Sequence, residues 1–386
     1  MTVTMLSVLL AAILGFSAHR ASLCTVRAIA EVLSTGRACM LWSIAKSVFW
    51  VLAVTVALVH LLPGVRGAPE GWPVSTMSIL GGFLFGVGAT VNGGCAFSTL
   101  AQLADGRLRM ILTVGGFCLG AFAMLELLPG GAPAPAVAGP VRSWSGWWAL
   151  AAVALSVWAV RETVRLWRSR PPGRLFRDLP FSERYRLSTA AALIGLSNGV
   201  LNFLFGSWSH TGTFLQAMEG LTQKNAMPSV MKWILLVALF GGMVFSTWQR
   251  RGFRLDWRPS FVWWRNLVGG LAMGGGAVLV PGGNDTLVLQ GIPGLSAHAL
   301  PAYLAMLIGI ATSLLAMRWI ARTQMIVDCS NDICISREES RRRRPSFPSG
   351  AIGTIKPDDG SFSRIRPRPS SNGDLSKRSI RGRGRR

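Results

Sequence analysis

A long apolar segment in the first half of this chain is broken by VNGGCA at residues 91–96, and one in the second half by PGGND at residues 281–285. Within a lipid bilayer, the backbone leaves the helix only where protein or a water-filled cavity satisfies its freed N–H and C=O groups. Paired glycine-rich breaks in corresponding halves are typical of transporters whose discontinuous helices form a solute site near the membrane midplane. The two breaks therefore predict a pathway inside the protein rather than a surface that faces lipid.

The composition is that of a polytopic membrane protein. Half of the 386 residues are hydrophobic, 15% are charged, and the mean hydropathy is +0.40. We predict an all-α polytopic membrane protein with about nine transmembrane helices, re-entrant segments and two inverted-topology repeats, because nine apolar stretches approach the length needed to cross about 30 Å of hydrocarbon. These stretches run approximately over residues 2–16, 40–62, 75–91, 110–128, 144–160, 187–205, 231–247, 261–280 and 299–317.

The positions of the arginines predict the orientation in the membrane. The 161–186 connection carries eight arginines and the 249–265 connection carries five, whereas the loops at 63–73 and 129–143 carry one each, Arg66 and Arg142. Cytoplasmic loops carry an excess of Lys and Arg. We therefore predict that the two basic connections and the C-terminal tail are cytoplasmic and that the N-terminus is external.

Short similarities link the two halves of the chain. LGFS at 14–17 is echoed by IGLS at 194–197, Lys46 by Lys232, and GGF at 81–83 by GGL at 269–271, in the same order. The alternative is chance similarity, since glycine is common at tight contacts between membrane helices. We predict four parts: a first repeat at 1–143, a connector helix and basic cytoplasmic loop at 144–186, a second, inverted repeat at 187–320, and a disordered, basic cytoplasmic tail at 321–386.

The chemistry of the two breaks suits a polyatomic anion. A helix that restarts after a break presents free N–H groups and a positive dipole end. Glycines let the backbone approach a ligand closely because no Cβ intervenes. The two repeat-related lysines add positive charge, although a lysine near a membrane interface also extends there simply to reach water. The candidate binding residues from this argument are Gly93, Gly94, Gly282, Gly283, Lys46 and Lys232.

Two cysteine motifs carry a resemblance to a known family. SLCTVRA at 22–28 and GGCA at 93–96 resemble the YeeE/YedE family of bacterial sulfur-compound transporters, and the similarity spans roughly residues 1–320. The resemblance implies a multi-pass permease of the bacterial inner membrane that passes thiosulfate along cysteine thiols without covalent chemistry. Cys24 and Cys95 stand at the first two cysteine positions of the family. By the internal repeat, Asn284 takes the third position, where the family has a cysteine.

Further polar residues are secondary candidates. The segment at 202–213 resembles a re-entrant region of the family, and its hydroxyls and the Trp208 N–H are neutral donors suited to oxyanion oxygens. Asp285 would repel an anion unless it is paired, and an intramembrane carboxylate usually has a functional role. The secondary hydroxyl candidates are Ser207, Thr211 and Thr213.

Other function classes have weaker support. The sequence contains no Walker-type loop, dinucleotide fingerprint or His-Glu-x-x-His run, so we predict no enzyme activity, cofactor or bound metal. One alternative is a channel or exporter for another sulfur species or a selenium analogue. The other is a membrane-bound sulfurtransferase that uses Cys24 as its nucleophile. His19 would then serve as the neighbouring base that such chemistry requires.

The C-terminal tail is strongly basic. From residue 337 onward it has 15 Lys and Arg against five acidic residues, a composition that favours disorder. We predict contact with the lipid bilayer rather than with nucleic acid. Cys329 and Cys334 precede this stretch, where a reducing cytoplasm disfavours a lasting disulfide. A role in passing sulfur to a cytoplasmic acceptor protein is a further hypothesis for them.

Overall fold

The computed structural model describes residues 2–61, 70–128, 137–138, 146–168, 182, 184–222, 227–257, 262–320, 323–330 and 332–340. The helices of the first half are α1 (Thr2–Ala21), α2 (Thr25–Thr35), α3 (Cys39–Leu61), α4 (Thr76–Asn92), α5 (Ala96–Ala104) and α6 (Met110–Leu127). They are followed by α7 (Gly146–Arg168), α8 (Leu187–Phe205), α9 (His210–Thr222), α10 (Val230–Gln249) and α11 (Val262–Leu279). The last are α12 (Asn284–Thr286), which continues as a π-helical turn (Leu287–Gly291), and α13 (Ala299–Ile320). Two antiparallel strand pairs join β1 (Glu70–Gly71) to β2 (Val137–Ala138) and β3 (Thr323–Ser330) to β4 (Ile333–Ser340).

The helices confirm an all-α polytopic membrane protein. Within the described ranges, seven segments are long and apolar enough to cross a membrane, and the pair α11 and α12, bent by 46°, forms an eighth if it is counted as one span. We predicted about nine. The difference is α7, whose second half carries Arg161, Glu162, Arg165 and Arg168 and is therefore less apolar than the other spans.

The packing of the helices relates the two halves element by element. Helix α1 packs against α10 and α3 against α8, while α4 packs against α13 and α6 against α11. If α1 to α6 correspond in order to α8 to α13, the contact of α1 with α10 is equivalent to that of α8 with α3. The contact of α4 with α13 is likewise equivalent to that of α11 with α6. A Cβ at Gly15 would collide with the Leu239 carbonyl in α10, and one at the repeat-related Gly195 would collide with Trp50 in α3. The similarities in sequence therefore coincide with equivalent contacts, while the inverted orientation stays a prediction.

Glycines end the helices at both breaks. Gly93 has a φ of 84°, a left-handed conformation that glycine adopts without steric penalty. The turn closes with a hydrogen bond from the Gly94 N–H to the Ala89 carbonyl at 2.9 Å. At the second break Gly282 has a φ of 141°, and α12 then passes into a π-helical turn after three residues. Such turns frequently lie at functional sites.

The two strands β3 and β4 form a hairpin, whereas we predicted a disordered tail from residue 321. Val327 and Cys329 are buried, and β3 packs against α2, where the Val327 N–H donates to Ser34 Oγ at 3.4 Å. Alternating apolar side chains on β3 explain this placement. Our prediction gave weight to the basic residues further along and overlooked that alternation.

The hairpin also holds a disulfide that we predicted to be disfavoured. Cys329 and Cys334 lie opposite each other in the strand register and are bonded. The register itself brings the two thiols together, which a prediction from redox compartment alone does not consider. In the turn, Asp332 Oδ2 accepts the Ser188 N–H at 2.9 Å and so caps the start of α8.

Some predicted features lie outside the described residues. They include Arg66, Arg142, residues 169–181 of the arginine-rich connection, and residues 341–386 of the tail. The orientation derived from them stays a prediction.

Candidate functional site

A small cavity, here called the central cavity, lies where the two halves meet. Its volume is about 50 Å³, and Cys24, Cys95, Asn284 and Asp285 all line it. Cys24 precedes α2, Cys95 precedes α5, and Asn284 opens α12, so three helix beginnings face one space. The structure thus brings together the three residues predicted at the cysteine positions. Because a water molecule needs about 10–15 Å³ measured in this way, the cavity has room for a few waters.

A hydrogen bond joins the two cysteines that line the central cavity. The Cys95 N–H donates to Cys24 Sγ at 3.4 Å, and both residues are at most 2% exposed. The first N–H groups of a helix have no intrahelical partner. The Cys24 sulfur therefore lies at the start of α5, where a helix end favours an acceptor or a negative charge.

Asn284 contributes a polar group to the same wall. It is buried, and its side-chain oxygen has no hydrogen-bond partner. Cys95 is the N-cap residue of α5, whereas the N-cap residue of α12 is Gly283. Asn284 therefore lines the cavity from the first helical position of α12. Leaving a buried amide group unpaired costs about 1–3 kcal/mol. The unpaired atom is an acceptor, so a water molecule can pair with it, whereas an anion would accept from the amide nitrogen of the same side chain.

The four predicted glycines form the turns behind the cavity and are not among the described residues that line it. Gly93 and Gly282 have positive φ angles. Gly283 packs closely, since a Cβ there would lie 2.6 Å from Thr211 Oγ1. The glycines therefore shape the breaks, while the side chains beside them face the cavity.

The two predicted lysines lie in different surroundings. Lys46 is buried, and its Nζ donates to Glu162 Oε1 at 2.6 Å and to Ser188 Oγ at 2.9 Å, which ties α3 to α7 and α8. It is not among the described residues that line the central cavity. Lys232 Nζ donates to Gln216 Oε1 at 2.6 Å and lines a larger cavity.

This larger cavity, here called the second cavity, has a volume of about 450 Å³. Thr286 and Leu287 face it, whereas Asp285 and Val288 face the central cavity. The segment that contains α12 therefore lies between the two cavities and contributes one face to each. Several polar side chains line it, and the indole N–H of Trp208 and the amide nitrogen of Gln290 are buried without hydrogen-bond partners. The polar lining includes Ser209, Gln216, Lys232, Gln290 and His298.

A third cavity of about 510 Å³ lies near the other end of α5, where Asp105 follows the helix. Burial alone would raise the pKa of Asp105. The hydrogen bond from His19, with further contributions from Thr247 and Arg250, holds that pKa below its usual value. The remaining charged residues that line this third cavity are Arg107, Arg184, Arg254 and Asp256.

Residues 20–312 match the sequence family described as sulphur transport. The chain belongs to this sulphur transport family. The resemblance to the YeeE/YedE family, stated from the two cysteine motifs, is thereby confirmed. A comparison with curated proteins finds no match. As a family member with multiple membrane-spanning helices, the protein is a membrane transporter of sulfur compounds, and its substrate is a small anion.

The position of His19 argues against the sulfurtransferase alternative. Its Nδ1 lies 2.9 Å from Ser246 Oγ, and its Nε2 lies 3.1 Å from Asp105 Oδ1. A base for Cys24 would need a ring nitrogen directed at that thiol. Both nitrogens instead join the ends of α1, α5 and α10.

Sequence reasoning missed the partner of Asp285. His210 Nδ1 lies 2.7 Å from Asp285 Oδ2, and the two side chains are 2% and 1% exposed. The requirement that an intramembrane carboxylate be paired was available from the sequence. The choice among four histidines depends on how the start of α9 packs against α12, which the sequence alone does not specify.

Proposed function

We propose that this protein is a permease of the bacterial inner membrane that moves thiosulfate, or a closely related small sulfur-containing anion, into the cell. The proposal refines the family assignment by naming the substrate, the direction and the residues that contact it. The single observation that carries it is the convergence of Cys24, Cys95 and Asn284 on the central cavity.

The chemistry of the cavity suits thiosulfate, which combines a terminal sulfur with three oxygens. Thiol sulfurs are soft and polarisable, and so match the terminal sulfur. The amide of Asn284 and the N–H groups at the helix starts are donors for the oxygens. Cys24 and Cys95 thus act as contacts and not as nucleophiles, so no enzymatic step is part of the proposal.

The three cavities supply a route. We place the second cavity on the external side and the third on the cytoplasmic side, as the arginine distribution predicts. The unpartnered donors Trp208 and Gln290 support a first encounter with the anion in the second cavity. Helix α5, nine residues and therefore about 14 Å long, leads from the central cavity toward the third. A cytoplasmic sulfur-acceptor protein would take up the anion there.

The wall between the central and second cavities must move during transport. In this conformation α12 with the π-helical turn lies between the two spaces and keeps them separate. Displacement of this short segment would connect the two spaces. An arrangement of two gates around a central site is typical of transporters with repeats.

Uptake of radiolabelled thiosulfate into proteoliposomes tests the proposal. We expect uptake that unlabelled thiosulfate inhibits and sulfate inhibits poorly. In Cys95→Ala the apparent affinity should fall about tenfold, which corresponds to about 1.4 kcal/mol of binding. Cys118→Ala is a matched control because Cys118 is a free cysteine on α6 that does not line the central cavity. Equal uptake by Cys95→Ala and wild type would exclude the cysteine-lined path, and release without uptake would favour an exporter.

A further inference from the structure

We propose that the buried pair His210 and Asp285 binds a proton that is carried together with the anion, and that the hydroxyls of Ser209, Thr286 and Thr211 deliver this proton from the second cavity. The inference rests on the proposed function and adds the coupling ion to it. It is argued from the pair, the hydroxyl chain that reaches it, and the cavity that both adjoin.

The pair is buried, with side-chain exposures of 2% for His210 and 1% for Asp285. His210 opens α9 and Asp285 lies in α12, and the His210 ring packs edge-on against Phe97 with ring centres 4.7 Å apart. Charged groups buried at membrane depth are costly and are usually paired. If the histidine is neutral, the pair carries one negative charge, and a bound proton brings its net charge to zero.

A continuous chain of hydroxyls connects Asp285 to the second cavity. Thr211 Oγ1 lies 2.5 Å from Asp285 Oδ1, and Thr286 Oγ1 lies 3.2 Å from Thr211 Oγ1. Ser209 Oγ lies 2.7 Å from Thr286 Oγ1. Both Ser209 and Thr286 line the second cavity, so the chain begins where solvent has access.

The direction of these hydrogen bonds follows from the chemistry of the groups. An ionised carboxylate only accepts, so the Thr211 hydroxyl donates its single proton to Asp285. Thr286 must then donate to Thr211, and Ser209 to Thr286. Thr211 Oγ1 also accepts the Gly283 N–H at 3.2 Å, which completes its two acceptor positions. All three hydroxyls therefore point toward the carboxylate, as a relay requires.

Proton transfer along this chain balances without any other reactant. Ser209 takes a proton from a hydronium ion in the second cavity, which becomes water, and each hydroxyl passes its own proton to the next oxygen. The result is one additional proton on the His210 and Asp285 pair, with the three hydroxyls restored in reversed orientation. Departure of that proton through the central cavity, which Asp285 also lines, returns the pair to its starting charge.

The second ring nitrogen of His210, Nε2, can also accept this proton. Its Nε2 is buried without a hydrogen-bond partner, and the residue lines a small cavity of about 30 Å³. The groups that face it there from α5, α6 and α11 are not titratable among the described residues: Thr99, Thr113, Phe117 and Met273. On the side of the central cavity, the titratable neighbours of Asp285 are the thiols of Cys24 and Cys95.

Coupling to the anion follows because Asp285 and Asn284 line the same cavity. An anion beside Asn284 is repelled by the negative pair, and protonation removes that repulsion. By thermodynamic linkage, a proton that favours anion binding is itself bound more tightly when the anion is present. The two ions are therefore expected to move together.

The experiment uses the full-length protein in proteoliposomes that contain a pH-sensitive dye, with thiosulfate uptake measured in parallel. Thiosulfate is fully ionised at neutral pH, so proton entry that depends on it must involve the protein. For wild type we expect lumenal acidification that accompanies uptake, and faster uptake when the outside is more acidic. In Thr211→Val, which removes one hydroxyl of the relay at nearly constant volume, the protons moved per anion should fall about tenfold, a ratio typical of coupling between sites.

A matched control is Thr90→Val, because Thr90 is a buried threonine in α4 whose hydroxyl donates to the Gly86 carbonyl at 3.1 Å, away from the pair. It should retain wild-type coupling. Wild-type uptake without acidification, or full coupling in Thr211→Val, would overturn the proton inference while leaving the permease intact. Absence of uptake of any sulfur anion by wild type would instead overturn the proposed function, and this inference with it.

Discussion

The backbone N–H of Cys95 donates to the sulfur of Cys24 across the meeting point of α2 and α5, at 3.4 Å. This bond joins two helix starts that are 71 residues apart in sequence. It places the softest atom of the central cavity at the positive end of α5. A bound thiosulfate would meet both features at once.

Replacement of this sulfur by oxygen tests that combination. In Cys24→Ser, a smaller and harder hydroxyl takes the place of the thiol, so we expect thiosulfate affinity to fall about tenfold and discrimination against sulfate to weaken. Competition uptake with the two anions measures both effects. A variant that loses affinity equally for both anions would assign Cys24 a steric role only.

Addition of a third thiol tests the position of Asn284. We expect Asn284→Cys to bind thiosulfate more tightly, because a polarisable sulfur would replace an amide on the cavity wall. Asn284→Ala is the matched control, since it removes the amide without adding sulfur, and it should bind less tightly than wild type. The same affinity in all three proteins would show that this side chain does not contact the anion.

Variants of the Lys46 and Glu162 ion pair distinguish a structural role of Lys46 from a role in substrate binding. Removal of Lys46 leaves Glu162 buried with only the exposed Arg165 at 3.6 Å as a cationic partner, so Lys46→Met alone should destabilise the protein by up to about 3–5 kcal/mol. The double variant Lys46→Met with Glu162→Leu should recover most of that loss, because buried ion pairs are often replaceable by apolar residues. Thermal unfolding in detergent measures stability. If the recovered double variant transports normally, Lys46 is not a substrate contact.

The left-handed turn at Gly93 should be sensitive to a Cβ for conformational reasons alone. No atom lies within 4 Å of a Cβ placed there, so the expected destabilisation of Gly93→Ala, about 1–2 kcal/mol, comes from the φ of 84°. Gly115 in α6 offers the control because its Cβ would also meet open space, but in a helix. Gly115→Ala should be neutral or stabilising by up to about 1 kcal/mol. Equal effects of both changes would contradict this explanation.

The lowered pKa of Asp105 predicts that the stability of the protein depends on pH. Its pKa is lowered in the folded protein, so its contribution is present above the ordinary value of about 3.9 and is lost as the pH falls through the folded value. The difference in unfolding temperature between wild type and Asp105→Asn should therefore be largest near neutral pH and shrink below about pH 4. A difference that grows on acidification would have the wrong sign.

The sequence predicted the parts of this protein that depend on local pattern. Long apolar stretches predicted the spans, and glycines at 93–94 and 282–283 predicted where helices stop, because both follow from properties of neighbouring residues. The Cys24 and Cys95 motifs led to the correct family. These are features for which a short window contains the relevant physics.

Features that depend on packing between distant segments were missed. The pairing of His210 with Asp285 arises where α9 meets α12, and the hairpin that carries Cys329 gains its place from contact with α2. The partner of Lys46 was also not foreseen, because Glu162 lies in a helix outside both repeats, while the role of Lys46 in binding stays a prediction. In each case the deciding neighbour is far away in sequence.

A last consequence concerns the wall between the central and second cavities. Successive pairs of residues in one short segment, Asn284 to Gly291, face the two spaces in turn, the first and third pairs the central cavity and the second and fourth the second cavity. Its hydrogen bonding changes from α to π within eight residues. A displacement of this segment therefore breaks few helical hydrogen bonds. Because α5, about 14 Å long, still separates the central cavity from the third, the membrane voltage is divided between two barriers, and a charge that crosses this thin segment feels only part of it.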